Sequence, residues 1–212
     1  MNEITRRGLI FGAATVAACG VLAGVERVCL SAFADNDEPD DDPGPVKIVK
    51  FSDTGARLGV FTVPKVRRTK SEWKKQLTEL QYDVTRRAAT EFPYSGPLYD
   101  RHAPGLYRCV DCGNALFDSK SKFDSGTGWP SFWQPIAREN VREKKDFSVG
   151  VLRTEVKCAL CSAHLGHVFT DGPAPTGLRY CMNSAALRFI AADDRKSDSA
   201  RTEGKSVSPS AS

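Results

Sequence analysis

A segment near the end of the chain combines residue types that support thiol chemistry. It reads GLRYCMNSAAL over 177–187 and contains Cys181. A thiol attacks as its thiolate, and a nearby cation such as Arg179, on the same face if the segment is a strand, favours that form. An amide such as that of Asn183 can hold a polarised oxygen. Cys181 is therefore a candidate nucleophile, although a lone cysteine in an apolar stretch can also be a buried packing residue.

Two segments upstream carry groups that would complement such a nucleophile. AHLGHVF, over 163–169, places His164 and His167 three residues apart, and imidazoles can deliver protons. SGTGWPSF, over 125–132, contains Trp129, whose indole can form the wall of an apolar pocket. The two histidines could instead be metal ligands, and Trp129 could be a core residue. On the residues alone these alternatives stay open.

Two C-x-x-C pairs offer four soft metal ligands. Cys109 and Cys112 form the first pair, Cys158 and Cys161 form the second, and 45 residues separate the pairs. Each pair can put two thiolates on one face of a tight turn, and two such turns supply the ligands of a tetrahedral zinc ion. The spacing exceeds that of a compact zinc ribbon, so strands are expected between the pairs. A redox dithiol in one pair, or structural disulfides in both, are the alternatives.

The elements ahead of these motifs are predicted to be a hairpin and helical turns. The β-rich runs Val46–Phe51 and Leu58–Val63 flank a turn-forming SDTG segment, which predicts a hairpin. Thr69 and Glu72 fit a capping box, and apolar residues at helical spacing follow as far as Leu80. These elements form the N-terminal part of the expected domain.

The region that holds the motifs is expected to be β. From Arg108 to Ile190, short apolar runs alternate with Gly and Pro, which favours short antiparallel strands. We therefore expect one mainly β domain over residues 46–190. The acidic, Pro-rich segment 35–45 is typical of a linker, and the polar tail 191–212 is predicted to be disordered.

Composition sets broad limits on the function. The chain has 212 residues, 41% of them hydrophobic and 26% charged, which fits a globular domain and excludes collagen-like, coiled-coil and wholly disordered proteins. A net charge of +4 without a basic stripe between aromatics gives no reason to expect nucleic acid as a partner. Seven cysteines are an odd number, so they cannot all pair within the chain.

The first 34 residues resemble a twin-arginine export signal. Arg6 and Arg7 precede an uncharged stretch from Gly8 to Val25, and an A-x-A cleavage site ends at Ala34. Export to the periplasm with cleavage after Ala34 is the expectation. A transmembrane anchor is one alternative. A lipoprotein cut that leaves Cys19 at the new N-terminus is another.

The order of motifs resembles the methionine-R-sulfoxide reductases of the B type. The resemblance runs from about Glu72 to Phe189 and rests on the two C-x-x-C pairs, SGTGWPSF, HLGHVF, DGP and GLRYCMNSAAL. It implies a β-sandwich of two antiparallel sheets with short N-terminal helices. It also implies reduction of a methionine R-sulfoxide, protein-bound or free, to methionine in a protein-repair role under oxidative stress.

The resemblance also implies roles for individual residues. Cys181 would attack the sulfoxide sulfur and become a sulfenic acid. Trp129 would hold the methyl group, and Asp171 would orient a histidine. Arg179 would stabilise the thiolate. The sulfoxide oxygen would be bound by His164, His167 and Asn183. A structural zinc ion would be held by Cys109, Cys112, Cys158 and Cys161.

One position departs from that family. Many members carry a resolving cysteine in the S-G-C-G-W-P-S-F segment, where this chain has Thr127. A threonine cannot form the internal disulfide, so we expect an external thiol, thioredoxin-like or other, to reduce Cys181. Cys29 could serve as a resolving thiol only if cleavage retains it. We expect the mature protein to be a monomer.

Two other classes of function compete with the reductase. A zinc-stapled binding module could share the fold without catalysis, but it has no reason to combine Cys181 with His164, His167 and Asn183. A dithiol oxidoreductase would need one C-x-x-C pair free of metal. Metal analysis separates that class from the other two.

Overall fold

The computed structural model describes residues 44–147, 150 and 152–192. Its strands are β1 (Val46–Phe51), β2 (Arg57–Val63), β3 (Gly105–Cys109), β4 (Ala115–Asp118), β5 (Lys122–Phe123), β6 (Ser131–Phe132), β7 (Val141–Asp146), β8 (Arg153–Cys158), β9 (His164–Phe169), β10 (Arg179–Met182) and β11 (Leu187–Ala191). Its helices are α1 (Lys70–Gln76) and α2 (Glu79–Arg87), and single 3-10 turns cover Ser119–Ser121, Arg138–Asn140 and Ser184–Ala186.

The predicted terminal segments fall largely outside this description. The export signal over 1–34, the linker up to residue 43 and the tail from residue 193 lie outside the described residues. Within the described part of the chain, neither helix is long and apolar enough to cross a membrane.

The helical part is divided into two short helices. The predicted capping box is present at the start of α1, where the Thr69 hydroxyl accepts from the Glu72 amide and Glu72 returns a bond to the cap. The predicted helical spacing extends through Leu80, whereas α1 ends at Gln76. A second capping box on Thr78 starts α2, and its reciprocal bonds with residue 81 hold Thr78 in an extended conformation that a continuous helix cannot contain.

The strands form antiparallel sheets, which confirms the predicted mainly β class. The six-stranded sheet has the order β5-β6-β10-β9-β8-β7, the three-stranded sheet has the order β11-β3-β4, and the predicted hairpin β1-β2 pairs only with itself. The described residues therefore contain three hydrogen-bonded sheets where the family resemblance implied two. The third arises because the strand-pairing hydrogen bonds of the hairpin stay within its own two strands.

Aromatic side chains fill the space between the two larger sheets. Tyr107 on β3 and Phe117 on β4 both contact Phe132 on β6, with ring centroids 4.9 and 4.4 Å apart. All three side chains are fully buried. Rings of this size bury large apolar areas, so this layer stabilises the face-to-face packing on which β6 and its neighbours rest.

The centre of the six-stranded sheet brings two of the predicted segments together. In the β9–β10 ladder, Cys181 lies directly opposite His167. The neighbouring Gly166 has φ +154°, and a Cβ there would lie 2.1 Å from the carbonyl oxygen of Cys181. Only glycine allows the two strands to approach this closely, so Gly166 is required for the juxtaposition of the thiol and the imidazole.

Candidate active site and metal centre

Cys181 lies on β10 at the end of a chain of hydroxyl groups. Its Sγ is 3.8 Å from Oγ1 of Thr127. Oγ1 of Thr127 lies 2.8 Å from Oγ of Ser125, which in turn lies 2.7 Å from Oγ of Ser131. Ser131 faces Cys181 across the β6–β10 pairing, so the sheet register and the 125–132 loop together surround the sulfur with weak donors.

Burial and hydrogen bonding act in opposite directions on the thiol. Burial raises the pKa of Cys181 above its usual value, while the Thr127 hydroxyl and then the Arg179 charge lower it by less. Arg179 therefore contributes in the direction predicted from the sequence, but it does not outweigh burial. The substrate-free site favours the thiol over the thiolate, so attack by Cys181 must be accompanied by loss of its proton.

Asp171 contacts Arg179 rather than a histidine, which corrects the sequence prediction. Nε and Nη2 of Arg179 donate to the two carboxylate oxygens of Asp171 at 2.9 and 2.8 Å, and the guanidinium lies 4.4 Å above the Phe169 ring. Arg179 pairs with Phe169 at the end of β9, and Asp171 follows two residues later, so Arg179 is the cation beside it. This bidentate pair lowers the pKa of Asp171 and orients Arg179.

The two histidines use other carboxylates. Nδ1 of His164 lies 2.7 Å from Oε1 of Glu155, and Nε2 of His167 lies 2.7 Å from Oδ2 of Asp146. Burial lowers the pKa of His167, and its hydrogen bond to Asp146 opposes that effect. His164 is buried, and its Nε2 has no hydrogen-bond partner within the described part of the chain. Each imidazole is thus oriented by one acidic partner, as expected of groups that transfer protons.

A cleft of about 130 Å³ opens beside Cys181. Its lining residues are Thr90, Trp129, Arg153, Gly166, His167, Phe169, Cys181, Met182 and Asn183. One wall is apolar, because Trp129, Phe169 and Met182 contribute rings and a thioether. His167 and Arg153 contribute polar groups. The cleft therefore joins a thiol, an apolar wall and proton-transfer groups, whereas Arg179, Asp171 and His164 lie outside its lining.

The side chain of Asn183 is already committed to the backbone. Its Oδ1 accepts from the amide of Glu91 at 3.1 Å, and its Nδ2 donates to the carbonyl of Leu165 at 3.1 Å. Asn183 lines the cleft and is buried. Its carboxamide oxygen is occupied, so one N–H of the amide is left for a ligand.

Sequence reasoning missed three acidic residues of this site. Glu155 and Asp146 bind the histidines, and Glu91 holds the segment that follows Cys181. No local motif marks them, because each reaches its partner through strand pairing or through a contact distant in sequence. A β-bulge between Val156 and Lys157 shifts the β8–β9 register, so even a correct strand prediction would not identify Glu155 as the partner of His164.

The four paired cysteines converge on one point. The Sγ atoms of Cys109 and Cys161 are 3.6 Å apart, as are those of Cys112 and Cys158, and all four lie within 4.8 Å of one another. All four are free thiols rather than disulfides. A tetrahedral zinc ion with Zn–S bonds of ~2.3 Å places its sulfurs about 3.8 Å apart, which this cluster matches. The donor set therefore fits a metal ion.

Charged and polar groups support the cluster from outside. Arg86 on α2 donates to the carbonyl oxygen of Cys161 at 3.0 Å and approaches its Sγ at 3.5 Å, while Nε of Arg86 binds Asp111 at 2.7 Å. Nδ2 of Asn114 lies 3.6 Å from Sγ of Cys158. N–H donors directed at sulfur stabilise thiolates, as is common around structural metal sites.

Comparison with known proteins gives a consistent result. Residues 77–191 match the family model described as SelR domain. A protein named "Peptide methionine sulfoxide reductase MsrB" from Herminiimonas arsenicoxydans is 57% identical over 130 residues, which cover 61% of this chain and 95% of that relative. Proteins of the same name from Hahella chejuensis and Bradyrhizobium diazoefficiens are 55% and 56% identical over 129 and 128 residues, covering 61% and 60% of this chain and 93% and 92% of those relatives.

Proposed function

Because the chain belongs to the SelR domain family, we propose that it reduces methionine R-sulfoxide, protein-bound or free, to methionine. The observation that carries the proposal is the cleft in which Cys181 lies beside the Trp129 wall and across the ladder from His167. An apolar wall suits the S-methyl group, and the polar side suits the sulfoxide oxygen.

The reaction begins with attack of Cys181 Sγ on the sulfoxide sulfur. The sulfur–oxygen bond of the substrate breaks, and the oxygen ends on Cys181 as a sulfenic acid while methionine leaves as the thioether. The thiol proton moves to the oxygen, so no other reductant is consumed in this step. His167 relays that proton, with Asp146 orienting its ring. Arg179 stabilises the thiolate as it forms.

Recovery of the thiol requires an external reductant. Thr127 lies at the position of a resolving cysteine, and its hydroxyl cannot form a disulfide. A first external thiol condenses with the sulfenic acid, releasing water and forming a mixed disulfide. A second thiol then displaces Cys181, giving the external disulfide and the free enzyme. A thioredoxin-like dithiol would supply both thiols.

The cysteine cluster would hold a structural zinc ion. Zinc bound there would join the β3–β4 turn to the β8–β9 turn through Cys109, Cys112, Cys158 and Cys161. Arg86 and Asn114 would stabilise the thiolates. A metal-bound cluster leaves no C-x-x-C pair for dithiol chemistry, so this assignment argues against the oxidoreductase alternative.

We propose that the reaction takes place in the periplasm, because residues 1–34 resemble a twin-arginine export signal. Cleavage after Ala34 would remove both Cys19 and Cys29 and leave five cysteines, the four zinc ligands and Cys181. Processing as a lipoprotein at Cys19 would instead keep Cys29. The intact mass of the secreted protein distinguishes the two.

The activity is tested directly with purified mature protein and a dithiol reductant. We expect turnover of N-acetylmethionine R-sulfoxide and none of the S epimer. A Cys181→Ser variant should lose activity by a factor of about 1,000 or more, because the nucleophile is gone. A zinc-loaded protein that binds the sulfoxide but never releases methionine would support a binding module instead.

A further inference from the structure

The segment between α2 and β3 connects two halves of the site. We call residues 90–98 the clasp segment. On one side it contacts the turn after the nucleophile, residues 183–185, and on the other it contacts the loop at 126–129. Neither the Cys181 motif nor the Trp129 motif includes it, and the mechanism above assigns it no role.

A buried carboxylate in the clasp segment holds the nucleophile turn. Glu91 is 3% exposed, and its two oxygens accept from the backbone amides of Ser184 at 2.6 Å and Ala185 at 2.9 Å. The Glu91 amide donates to the Asn183 side chain at 3.1 Å, and the Leu98 amide donates to the Ser184 hydroxyl at 3.3 Å. A buried charge is retained only where such bonds compensate its lost hydration.

The same residue reaches the apolar wall through its backbone. The indole Nε1 of Trp129 donates to the carbonyl oxygen of Glu91 at 3.2 Å. Tyr94 adds two bonds to the same loop, from its amide to the Gly128 carbonyl at 2.8 Å and from its hydroxyl to the Gly126 carbonyl at 2.6 Å. One residue, Glu91, thus contacts both the turn after Cys181 and the Trp129 ring that lines the cleft.

The packing of the clasp segment is tight. A Cβ at Gly96 would lie 2.3 Å from the Ser184 side chain and 2.8 Å from Oε1 of Glu91. The clasp segment is therefore in close, direct contact with the turn after Cys181.

We propose that Glu91 is a positioning residue that fixes the Trp129 ring relative to the Cys181 turn and so sets the preference for an S-methyl group over larger S-alkyl groups. This inference rests on the proposed function, because selectivity is measured with sulfoxide substrates. Carboxylate bonds to the Ser184 and Ala185 amides hold one side of the pocket, and the Glu91 carbonyl holds the other.

The test compares N-acetylmethionine R-sulfoxide with N-acetylethionine R-sulfoxide. Glu91→Gln retains the shape but has one oxygen for two N–H donors, so one amide must face an NH₂ group. We expect kcat/KM for the methyl substrate to fall about tenfold, as for loss of a charged hydrogen bond. The kcat/KM for the ethyl substrate should fall less, so the ratio of kcat/KM for the methyl substrate to kcat/KM for the ethyl substrate should decrease. Gly96→Ala should narrow the ratio in the same direction.

A matched control uses a carboxylate that can be replaced without losing its bond. Glu143 is exposed and accepts from the Tyr180 hydroxyl at 2.8 Å, which a glutamine oxygen can also do. Glu143→Gln should leave the ratio unchanged. The proposal is overturned if Glu91→Gln lowers kcat/KM for both substrates by the same factor, or leaves both values unchanged. A purely structural role predicts equal losses of kcat/KM.

A readout without substrate separates this inference from the proposed function. In ¹⁵N spectra of the wild-type protein, the Ser184 and Ala185 amides and the Trp129 indole N–H should exchange slowly with solvent, and Glu91→Gln should speed exchange of all three. Rapid exchange in the wild type would overturn the proposal even if no variant folds. A wild-type protein that reduces neither sulfoxide refutes the proposed function, while these exchange rates still decide the role of Glu91.

Discussion

Replacing Thr127 by cysteine should change how oxidised Cys181 is reduced. An internal disulfide with residue 127 should form in place of a mixed disulfide with an external thiol. Oγ1 of Thr127 is 3.8 Å from Sγ of Cys181. A disulfide requires an S–S distance of ~2.05 Å, so the two side chains must approach by a further ~1.8 Å. Rotation about the side-chain bonds of both residues supplies a movement of this size. We therefore expect the Thr127→Cys variant to form a disulfide with Cys181 after one turnover.

The sulfenic acid on Cys181 should react faster in the variant than in the wild type, because the thiol that attacks it belongs to the same chain. In the wild type, an external thiol at about 1 mM must reach the half-buried sulfenic acid. Even a modest effective concentration, about 0.1 M and far below the values reached by well-aligned groups, would speed resolution of the variant about 100-fold. The cleft lining is the same in the variant, but the Thr127 hydroxyl that lowers the pKa of Cys181 is lost, so the step that releases methionine should slow modestly.

The assay is a single turnover followed by quenching. One equivalent of N-acetylmethionine R-sulfoxide is added without reductant, and the decay of the sulfenic acid is followed by trapping and mass spectrometry. The Thr127→Cys variant should lose two thiols and show a peptide cross-link between positions 127 and 181. Thr127→Val serves as the control, because it removes the hydroxyl without adding a thiol, and its sulfenic acid should persist as in the wild type.

A Thr127→Cys variant that turns over once yet forms no disulfide between residues 127 and 181 would contradict this prediction. That result would mean that the two side chains do not meet in the oxidised state. A cross-link from Cys181 to one of the cluster cysteines would be equally damaging, since the cluster would then not be a closed metal site.

Three further predictions concern the partners of the site. The hydrogen bond to Asp146 raises the pKa of His167, so Asp146→Asn should lower that pKa further and reduce the imidazolium fraction at a given pH. The alkaline limb of the kcat/KM profile should therefore move to lower pH. An unchanged limb would exclude His167 as the proton donor. Cys112→Ser should abolish stoichiometric zinc binding, as measured by metal analysis. It should also reduce the free energy of unfolding by ~5 kcal/mol or more, as measured by urea denaturation. Retention of one zinc per chain would contradict the assignment of the cluster as a zinc site. Asp171→Asn should lower kcat/KM about 3- to 10-fold, because it releases Arg179 from its bidentate partner. Tm should be nearly unchanged, because the carboxylate is exposed. Full activity would show that Arg179 needs no orienting partner.

Local sequence patterns predicted the parts of the molecule that depend on short-range chemistry. The hairpin over 46–63, the Thr69 capping box and the two C-x-x-C turns follow from residue types within a few positions of one another. Apolar spacing through Leu80 does not reveal the break after α1, which is caused by the capping box on Thr78.

Contacts set by strand register could not be read from the sequence. The family resemblance implied that Asp171 orients a histidine, yet the β9–β10 pairing brings Asp171 to Arg179. Glu91 reaches Ser184 across 93 positions, and nothing near Glu91 marks it as part of the site. Such pairs depend on which strands become neighbours and in which register, and one residue of shift changes every partner.

In the proposed reaction, Cys181 receives the sulfoxide oxygen and finds no resolving thiol within the mature chain that begins after Ala34. The most direct measurement is the mass of the mature wild-type protein, and of its peptides, after one equivalent of methionine R-sulfoxide in the absence of reductant. We expect release of one equivalent of methionine and a gain of one oxygen atom on Cys181, which a sulfenic-acid reagent traps. An intramolecular disulfide that includes Cys181, or methionine release without any change at Cys181, would contradict it.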